Sequence, residues 1–579
     1  MTTDEKRPLE CDIEHGGSEA DVVSSVTEET SEVANQRKHP REGWASWRWP
    51  CVQSAFILGG LLLGYDVSNI ANIQPPIYSE FGNVHLLPWV ATGYTATQVC
   101  MVPLVRKLAI LGNVKSQMVL YTLIFVIGAA VSGSATSINS VIVGRAIAGI
   151  GGAGIYQLCI VINVLLSSPA ELPRLQGVMA VSWAVGLTLG PVIGGAFAES
   201  QSATWRWVSD RQLVCSRKRI ALMLIHTQAM YLNLPILSIM AILNFVALPS
   251  IRLAPGLPIV KGLRAFDWIG VVLHMAGFIL LCSALIFSGS TWAWSSHSAI
   301  TAWVVVGVIY VVYFLQQYFS LFTSKENRSI PADLLKDRTV VLVCLGTFAA
   351  GSCYGIALYY TPLFLAFTKG LGPIQAAVRL LPFIFTFIVF TIVMAGLIPV
   401  IGRYAPFYVI GGVLTMVGAG LQSQLTVQSS EGRIMGVSTL IGAGTGCMWQ
   451  TGVAILTQSV PADRRLDATA LFIMVQLGGI SITLALAGCI FQNLGYSRLH
   501  APLSALGYSE YDIREALAGL ESNIWATVDR DVVQFVVGEV AGVIADLQFV
   551  IVTSGALAFL SGCFMKWQKL DFGRTKEAK

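Results

Sequence analysis

Two charged residues stand inside long apolar stretches of this sequence. Asp66 lies in the stretch 52–73 and Arg145 in the stretch 138–160. An ionisable side chain in a segment long enough to cross a membrane is costly to keep there, so it is by default a functional hypothesis. Desolvation raises the pKa of a carboxyl group, whereas a nearby cation lowers it. Asp66 and Arg145 are therefore predicted to couple the protein to protons. A static ion pair, or an Asp66 exposed to water near a helix end, is the alternative.

Polar and aromatic residues in the same kind of segment define a predicted ligand cavity. Asn69 follows Asp66 at the spacing of one helix face, and Arg145 begins a second such face that continues through Gly149, Gly152 and Tyr156. Aromatic walls with few polar groups suit amphiphilic organic ligands. The residues predicted to line the cavity are Asn69, Gln157, Tyr354 and Gln450. Helix packing or anchoring at the membrane interface is the alternative for each of them.

Several motifs that would indicate an enzyme are absent or out of place. Gly149–Gly154 matches the spelling GxGxxG but lies inside an apolar helix, whereas the dinucleotide fingerprint requires a preceding strand. The sequence has no GxxxxGK[ST] phosphate loop, no HExxH and no GxSxG. Its 11 cysteines are scattered without metal-ligand spacing. We expect no catalytic residues, no metal site and no cofactor, and we expect that the protein is not an enzyme.

The elements that carry these residues are apolar helices. The chain has 579 residues, of which 54% are hydrophobic and 12% charged, whereas soluble domains carry about 25% charged residues. A net charge of +4 is too small to indicate nucleic-acid binding. Stretches of about 20 apolar residues span a bilayer as helix. Fourteen such spans are predicted, near 52–73, 86–105, 116–135, 138–160, 176–198, 231–249, 267–288, 299–321, 340–366, 374–398, 405–424, 434–459, 467–492 and 546–566.

Basic residues in the connecting loops predict the orientation. The loops 74–85, 136–137 and 289–298 contain no Lys or Arg, whereas the alternate loops contain residues such as Arg106, Lys115 and Arg264. Since basic loops stay inside, both termini are predicted to be cytoplasmic. The sequon at Asn327 then lies inside, and a glycan on it would overturn this topology.

Glycines at i, i+4 and i+8 in the fifth span form a smooth face for close helix approach. They are Gly186, Gly190 and Gly194, with Pro191 predicted to bend the helix and Gly195 following. The string GLTLGPVIGG resembles the antiporter motif of the major facilitator superfamily. Gly144–Gly151 resembles that superfamily's fourth-helix motif. Gly64-Tyr65-Asp66, Trp89 and Tyr94 resemble its branch of 14-span drug:proton antiporters, particularly the fungal toxin and multidrug efflux members.

The sequence departs from that family in two places. The family's loop motif between spans two and three is reduced to Leu108 and Lys115, and its acid position holds Ile110. The resemblance therefore does not extend to the charge contact that this motif makes between the two halves. A basic insert at 208–230 interrupts the family's junction, and a retained intron or gene-model error is predicted there; a real loop is the alternative.

The resemblance implies an all-α polytopic membrane protein with the major facilitator fold, in which two six-helix bundles are joined by two additional transmembrane helices. The predicted regions are a disordered cytoplasmic tail (1–48), the N-terminal bundle (49–249), a linker with two extra spans (250–325), the C-terminal bundle (326–566, with a long extracellular loop at 494–545) and a cytoplasmic tail (567–579). The predicted function is secondary active transport, with proton-coupled efflux of drugs, toxins or secondary metabolites. A siderophore-type transporter of the same fold, or a non-transporting receptor, is the alternative. The predicted partners are a small-molecule substrate, protons and the lipid bilayer but no nucleic acid. A monomer in the plasma membrane is expected, with the vacuolar or a vesicle membrane as the alternative.

Overall fold

The computed structural model describes residues 41–81, 86–199, 233–253, 259–325, 327–518 and 530–570. The chain divides into two compact units, Met1–Trp44 and Ala45–Lys579. The second unit holds all the helices considered below. Nearly all of the predicted N-terminal tail, the whole insert 208–230 and most of the C-terminal tail lie outside the described residues.

Fourteen long helices follow the order of the fourteen predicted spans in the described residues. They are α1 (Arg48–Phe81), α2 (Leu87–Leu111), α3 (Val114–Gly133), α4 (Ile138–Leu166), α5 (Leu172–Glu199), α6 (Asn233–Ala247), α7 (Trp268–Phe287), α8 (His297–Phe319), α9 (Arg338–Lys369), α10 (Pro373–Ile401), α11 (Ala405–Gln422), α12 (Glu431–Met448), α13 (Arg465–Ser504) and α14 (Arg530–Phe564). After a break at Trp449–Gln450, α12 continues as the helix Thr451–Ser459. A short helix, Ile259–Arg264, precedes α7.

Ten of these helices are long and apolar enough to cross a membrane by their own length and hydropathy. They are α1, α3, α4, α7, α8, α9, α10, α11, α13 and α14. In the described residues the other four, α2, α5, α6 and α12, do not meet this length and hydropathy. The burial of the helices varies: 89% of the apolar window of α4 is buried, against 17% of that of α8.

The first six and the last six helices pack in the same pattern. In the first bundle α1 contacts α5 and α6, α3 contacts α4 and α6, and α2 contacts α4. In the second bundle α9 contacts α13 and α14, α11 contacts α12 and α14, and α10 contacts α12. The two bundles meet along two seams, α5 with α10 and α2 with α13. When each helix of the first bundle is matched to its counterpart in the second, α1 with α9 through α6 with α14, the α5–α10 seam is matched to the α2–α13 seam. The bundles are therefore related by a pseudo-twofold axis, as expected of transporters built from two repeated halves.

The two additional helices lie at one of these seams. Helix α7 packs against α8, and it also packs against α2 of the first bundle and α13 of the second. The side chain of Asp267 accepts a hydrogen bond from Gly270 N at 2.9 Å and caps the start of α7. The pair α7–α8 therefore covers the α2–α13 seam on its outer side.

Glycines bring α1 and α5 into close contact. A Cβ added to Gly186 would lie 1.9 Å from the carbonyl oxygen of Leu61, and one added to Gly64 would lie 2.0 Å from that of Trp183. Gly190 likewise leaves no room, because its Cβ would lie 2.0 Å from Ser68 Oγ. The predicted close-packing face is thus present on this part of α5. Helix α5 continues through Pro191 to Glu199. The surroundings of Pro191, Gly194 and Gly195 are outside the described set, so the bend at Pro191 stays a prediction.

The connection before the last span is shorter than the sequence predicted. The residues 494–545 were predicted to form a long extracellular loop with helical patches; in the structure α13 extends to Ser504, a short helix spans Glu510–Ala518, and α14 begins at Arg530. Arg498 explains part of this extension, because it pairs with Asp546 of α14 at 2.5 Å and joins the two helix ends. Polar residues can continue a helix beyond its apolar part when a neighbouring helix satisfies them, which hydropathy does not detect.

Candidate functional site

Asp66 and Arg145 form a buried ion pair between α1 and α4. The distance from Arg145 Nη1 to Asp66 Oδ2 is 2.5 Å, and the two side chains are only 2% and 3% exposed. Asn233 at the start of α6 donates to the other oxygen, Asp66 Oδ1, at 2.9 Å. Arg145 also donates from Nε to the carbonyl of Val90, and its guanidinium lies 4.4 Å from the ring centre of Tyr94. Both carboxylate oxygens of Asp66 are therefore engaged, as a buried charge requires.

A cavity opens directly beside this pair, between the two bundles. The space free of protein atoms there amounts to about 720 Å³, a figure that includes open solvent. Arg145 and Tyr94 form part of its wall, together with Ser68 of α1. The wall of the second bundle is contributed by α9, α10 and α13, with Tyr354 among the lining residues. The cavity thus brings the predicted acid–base pair and the predicted ligand residue Tyr354 to one place.

Aromatic side chains from both bundles form a cluster that adjoins this cavity at Tyr354. This aromatic cluster consists of Tyr156, Trp183, Tyr354, Phe387 and Trp449. Trp183 Nε1 donates to the hydroxyl of Tyr354 at 2.8 Å, and the rings of Tyr354 and Trp449 lie 4.5 Å apart. Tyr156 donates to Gln476 Oε1 at 2.7 Å, again from one bundle to the other. These contacts hold the bundles together at mid-height.

The remaining predicted ligand residues have different positions. Gln450 lines a second, smaller cavity with Pro173 and Thr391. Its Nε2 lies 3.5 Å from the hydroxyl of Tyr156. Asn69 is buried one turn beyond Tyr65 and donates to the hydroxyl of that residue at 3.3 Å. Gln157 is fully buried, does not line either cavity, and its amide has no hydrogen-bond partner among the described residues.

The end of the molecule that carries Arg106 is closed by charged contacts, here called the Arg106 latch. Arg106 of α2 pairs with Asp467 of α13 at 2.6 Å, and it also donates to the carbonyl of Arg328. Lys107 donates to Asn327 Oδ1 at 2.5 Å. A charge contact between the bundles is therefore present although Ile110 occupies the family's acid position. Tyr94 and Arg106 are twelve residues apart on α2, which is about 18 Å along a helix, so latch and cavity lie at different depths.

A buried carboxylate connects the additional helices to the latch. Asp267 is 1% exposed and accepts hydrogen bonds from Gln316 Nε2 at 2.8 Å and from Gln317 Nε2 at 2.7 Å. It also accepts from the backbone nitrogen of Ser329 at 3.1 Å. Because Ser329 follows Arg328, whose carbonyl binds Arg106, helices α7 and α8 support the segment that completes the latch.

Three residues that shape this site were not predicted to do so. Asn233 is not among the predicted site residues, yet it binds Asp66. Trp183 and Phe387 are not among them either, yet they belong to the aromatic cluster. The position of Asn233, a polar residue near the start of an apolar segment, could have marked it as a candidate site residue. Nothing in the local sequence distinguishes Trp183 or Phe387 from other aromatic residues.

Comparison with known proteins assigns relatives to the whole helical region. The model of the Major Facilitator Superfamily matches residues 56–209. The chain is 32% identical to the efflux pump DEP3 of Fusarium langsethiae, over 89% of each protein. It is 31% identical to the efflux pump patC of Aspergillus clavatus, over 94% of this chain and 95% of the pump.

Among solved structures, the chain is similar to an inward-facing, occupied bacterial homologue of the human lysosomal transporter Spinster. The TM-score is 0.55 at 16% identity, and the match covers 89% of this chain and 97% of that protein. At this identity the similarity bears on the fold alone.

Proposed function

The chain belongs to the major facilitator superfamily, and we propose that it couples proton entry to the export of small organic molecules. It is a secondary transporter embedded in the lipid bilayer by its apolar helices. Relatives named as efflux pumps over almost their whole length support export.

The observation that carries the proposal is the buried pair Asp66–Arg145 at the wall of the cavity. A proton on Asp66 removes its negative charge, so Arg145 loses its ion-pair partner and becomes a net positive charge beside the substrate space. Substrate and proton then influence each other through one side chain, which is the requirement for coupled exchange. Burial of both groups keeps this effect from being screened by water.

The rest of the structure fits an alternating-access cycle. The Arg106 latch and the aromatic cluster close one end, and the cavity lies toward the other. With the predicted orientation, the latch faces the cytoplasm and the cavity faces outward, so this is a state from which an exported molecule would leave. An ion gradient supplies about 1.4 kcal/mol per pH unit and about 2.3 kcal/mol per charge per 100 mV.

Reconstituted protein tests the coupling. Liposomes would carry an internal red pH dye and an imposed pH gradient, and the ethyl ester of 7-diethylaminocoumarin-3-carboxylic acid would be added as the probe. In the wild type we expect the probe to speed the decay of the gradient several-fold, because the ester leaks back and is exported repeatedly. Asp66→Asn and Arg145→Lys should abolish the probe-dependent part, whereas Asp463→Asn, a change at an exposed carboxylate outside the cavity, should not. Equal probe-dependent decay in all four proteins would refute the proposed pair.

We propose further that the protein works as a monomer in the plasma membrane with both termini in the cytoplasm. Each bundle already contributes its own wall to the cavity, so a single chain completes the site. The loops 74–85, 136–137 and 289–298, which are predicted outside, contain no Lys or Arg, and this supports the orientation.

A further inference from the structure

The cavity wall carries one charged side chain, and that charge already has a partner. Among the residues that line the cavity in the described structure, Arg145 is the only one that is charged at neutral pH. Its partner Asp66 does not line the cavity and lies behind it, with its two oxygens bound to Arg145 and Asn233. The substrate space therefore offers no free carboxylate.

Such a wall does not stabilise a bound organic cation. A positive charge that leaves water needs a carboxylate or several oriented acceptors, because an unpaired charge in an apolar medium is strongly disfavoured. Here the wall offers a guanidinium, and the carboxylate behind it is already bound to Arg145 and Asn233. A carboxylate ligand meets a different obstacle, since it must displace Asp66 from Arg145 before it gains an ion pair.

An uncharged molecule meets neither obstacle, and much of the wall is apolar. The apolar lining residues of the second bundle are Leu358, Pro362, Ala377, Leu380, Ile480 and Leu484. Burial of apolar ligand surface against such side chains stabilises the complex by about 25 cal/mol per Å². Size and shape, rather than charge, are then the main requirements on the ligand.

We infer that the cavity binds uncharged, largely apolar molecules and that it discriminates against organic cations. This inference rests on the proposed function for its biological meaning but concerns binding alone. A neutral cargo exchanged for a proton moves one positive charge per cycle, so transport should also respond to membrane potential.

Three matched probes test the inference by equilibrium binding to purified protein in nanodiscs, without any gradient. They share the 7-diethylaminocoumarin-3-carbonyl skeleton and end as the ethyl ester, the free carboxylate or a trimethylammonioethyl amide. The ester should bind at least tenfold more tightly than the ammonium amide. Equal or tighter binding of the ammonium amide would overturn the inference. So would a failure of all three to bind, because the cavity would then not accept molecules of this size and polarity.

A variant at the ion pair tests the role assigned to it. Asp66→Asn should raise carboxylate affinity about tenfold, because Arg145 is freed for the anion. It should lower ester affinity several-fold, because Arg145 is then an uncompensated charge beside an apolar ligand. Asp463→Asn, at an exposed carboxylate outside the cavity, should change neither affinity. Unchanged carboxylate binding in Asp66→Asn would contradict the assigned role, and if this variant does not fold, the comparison of the three probes on the wild type still decides.

The outcome is distinguishable from that of the proposed function. Selective ester binding without probe-dependent decay of a pH gradient would contradict proton coupling and leave the substrate class in place. Proton coupling with preferred binding of the ammonium amide would do the reverse.

Discussion

The indole nitrogen of Trp183 donates a hydrogen bond to the hydroxyl of Tyr354 at 2.8 Å, and this bond joins α5 of the first bundle to α9 of the second. Tyr354 lines the large cavity. The centre of its ring lies 4.5 Å from that of Trp449, the residue before Gln450 of the second cavity. In an alternating-access cycle the bond must break when the bundles separate at this depth.

Removal of the Trp183–Tyr354 bond should favour opening toward the second cavity. Trp183→Phe and Tyr354→Phe should each shift the equilibrium by about 1 kcal/mol, the net worth of one hydrogen bond, and the double variant should add little to either. The measurement is the labelling rate of Thr451→Cys in the second cavity by a maleimide in nanodiscs. Cys11, Cys51, Cys215 and Cys563 would first be replaced by serine. Fully additive rates would show that the two side chains act independently.

Weakening of the Arg106 latch should open the same end. Arg106→Ala or Asp467→Asn removes a largely buried contact between α2 and α13. A shift of about 1–2 kcal/mol corresponds to a roughly 5- to 30-fold change in the open population, which the Thr451→Cys labelling rate would report. Lys336→Ala is the matched control, because Lys336 pairs with Asp333 at 3.8 Å but is 83% exposed. Labelling of Arg106→Ala at the control rate would argue against a latch.

A methyl group at Gly186 should disrupt the contact between α1 and α5. The Cβ of Gly186→Ala would lie 1.9 Å from the carbonyl oxygen of Leu61, so the helices must move apart. Overpacking of this kind costs about 1–3 kcal/mol and should lower the thermal unfolding midpoint in detergent. Gly396→Ala on α10, where a Cβ meets nothing within 4 Å, is the control. An unchanged midpoint in Gly186→Ala would mean that the close approach is not needed for stability.

The insert 208–230 should be missing from the main transcript. It begins with Val208-Ser209, which a splice-donor-like sequence can encode, and the match to the family model ends at residue 209. Sequencing of the messenger RNA across this junction is the measurement. A main transcript that contains these codons would establish the insert as a real loop of the protein.

The sequence by itself determined the class of protein, the order of its helices and the acid and base at its centre. Hydropathy is a local property, so apolar stretches of the right length identify membrane helices one at a time. Asp66 and Arg145 could be identified for the same reason, because a charged residue in an apolar stretch is recognisable from the local sequence even when its partner is unknown. The spacing of Gly186 and Gly190 likewise predicted a close helix contact.

Only the tertiary structure decided which side chains meet. Asn233 and Asp66 are 167 residues apart, Trp183 and Tyr354 are 171 apart, and Arg106 and Asp467 are 361 apart. Their contacts depend on the rotation of each helix about its axis and on the bundle opposite, which no local pattern encodes. Helices α13 and α14 extend beyond their apolar segments for a similar reason. Arg498 of α13 and Asp546 of α14 form an ion pair between the two helices, and no local pattern predicts it.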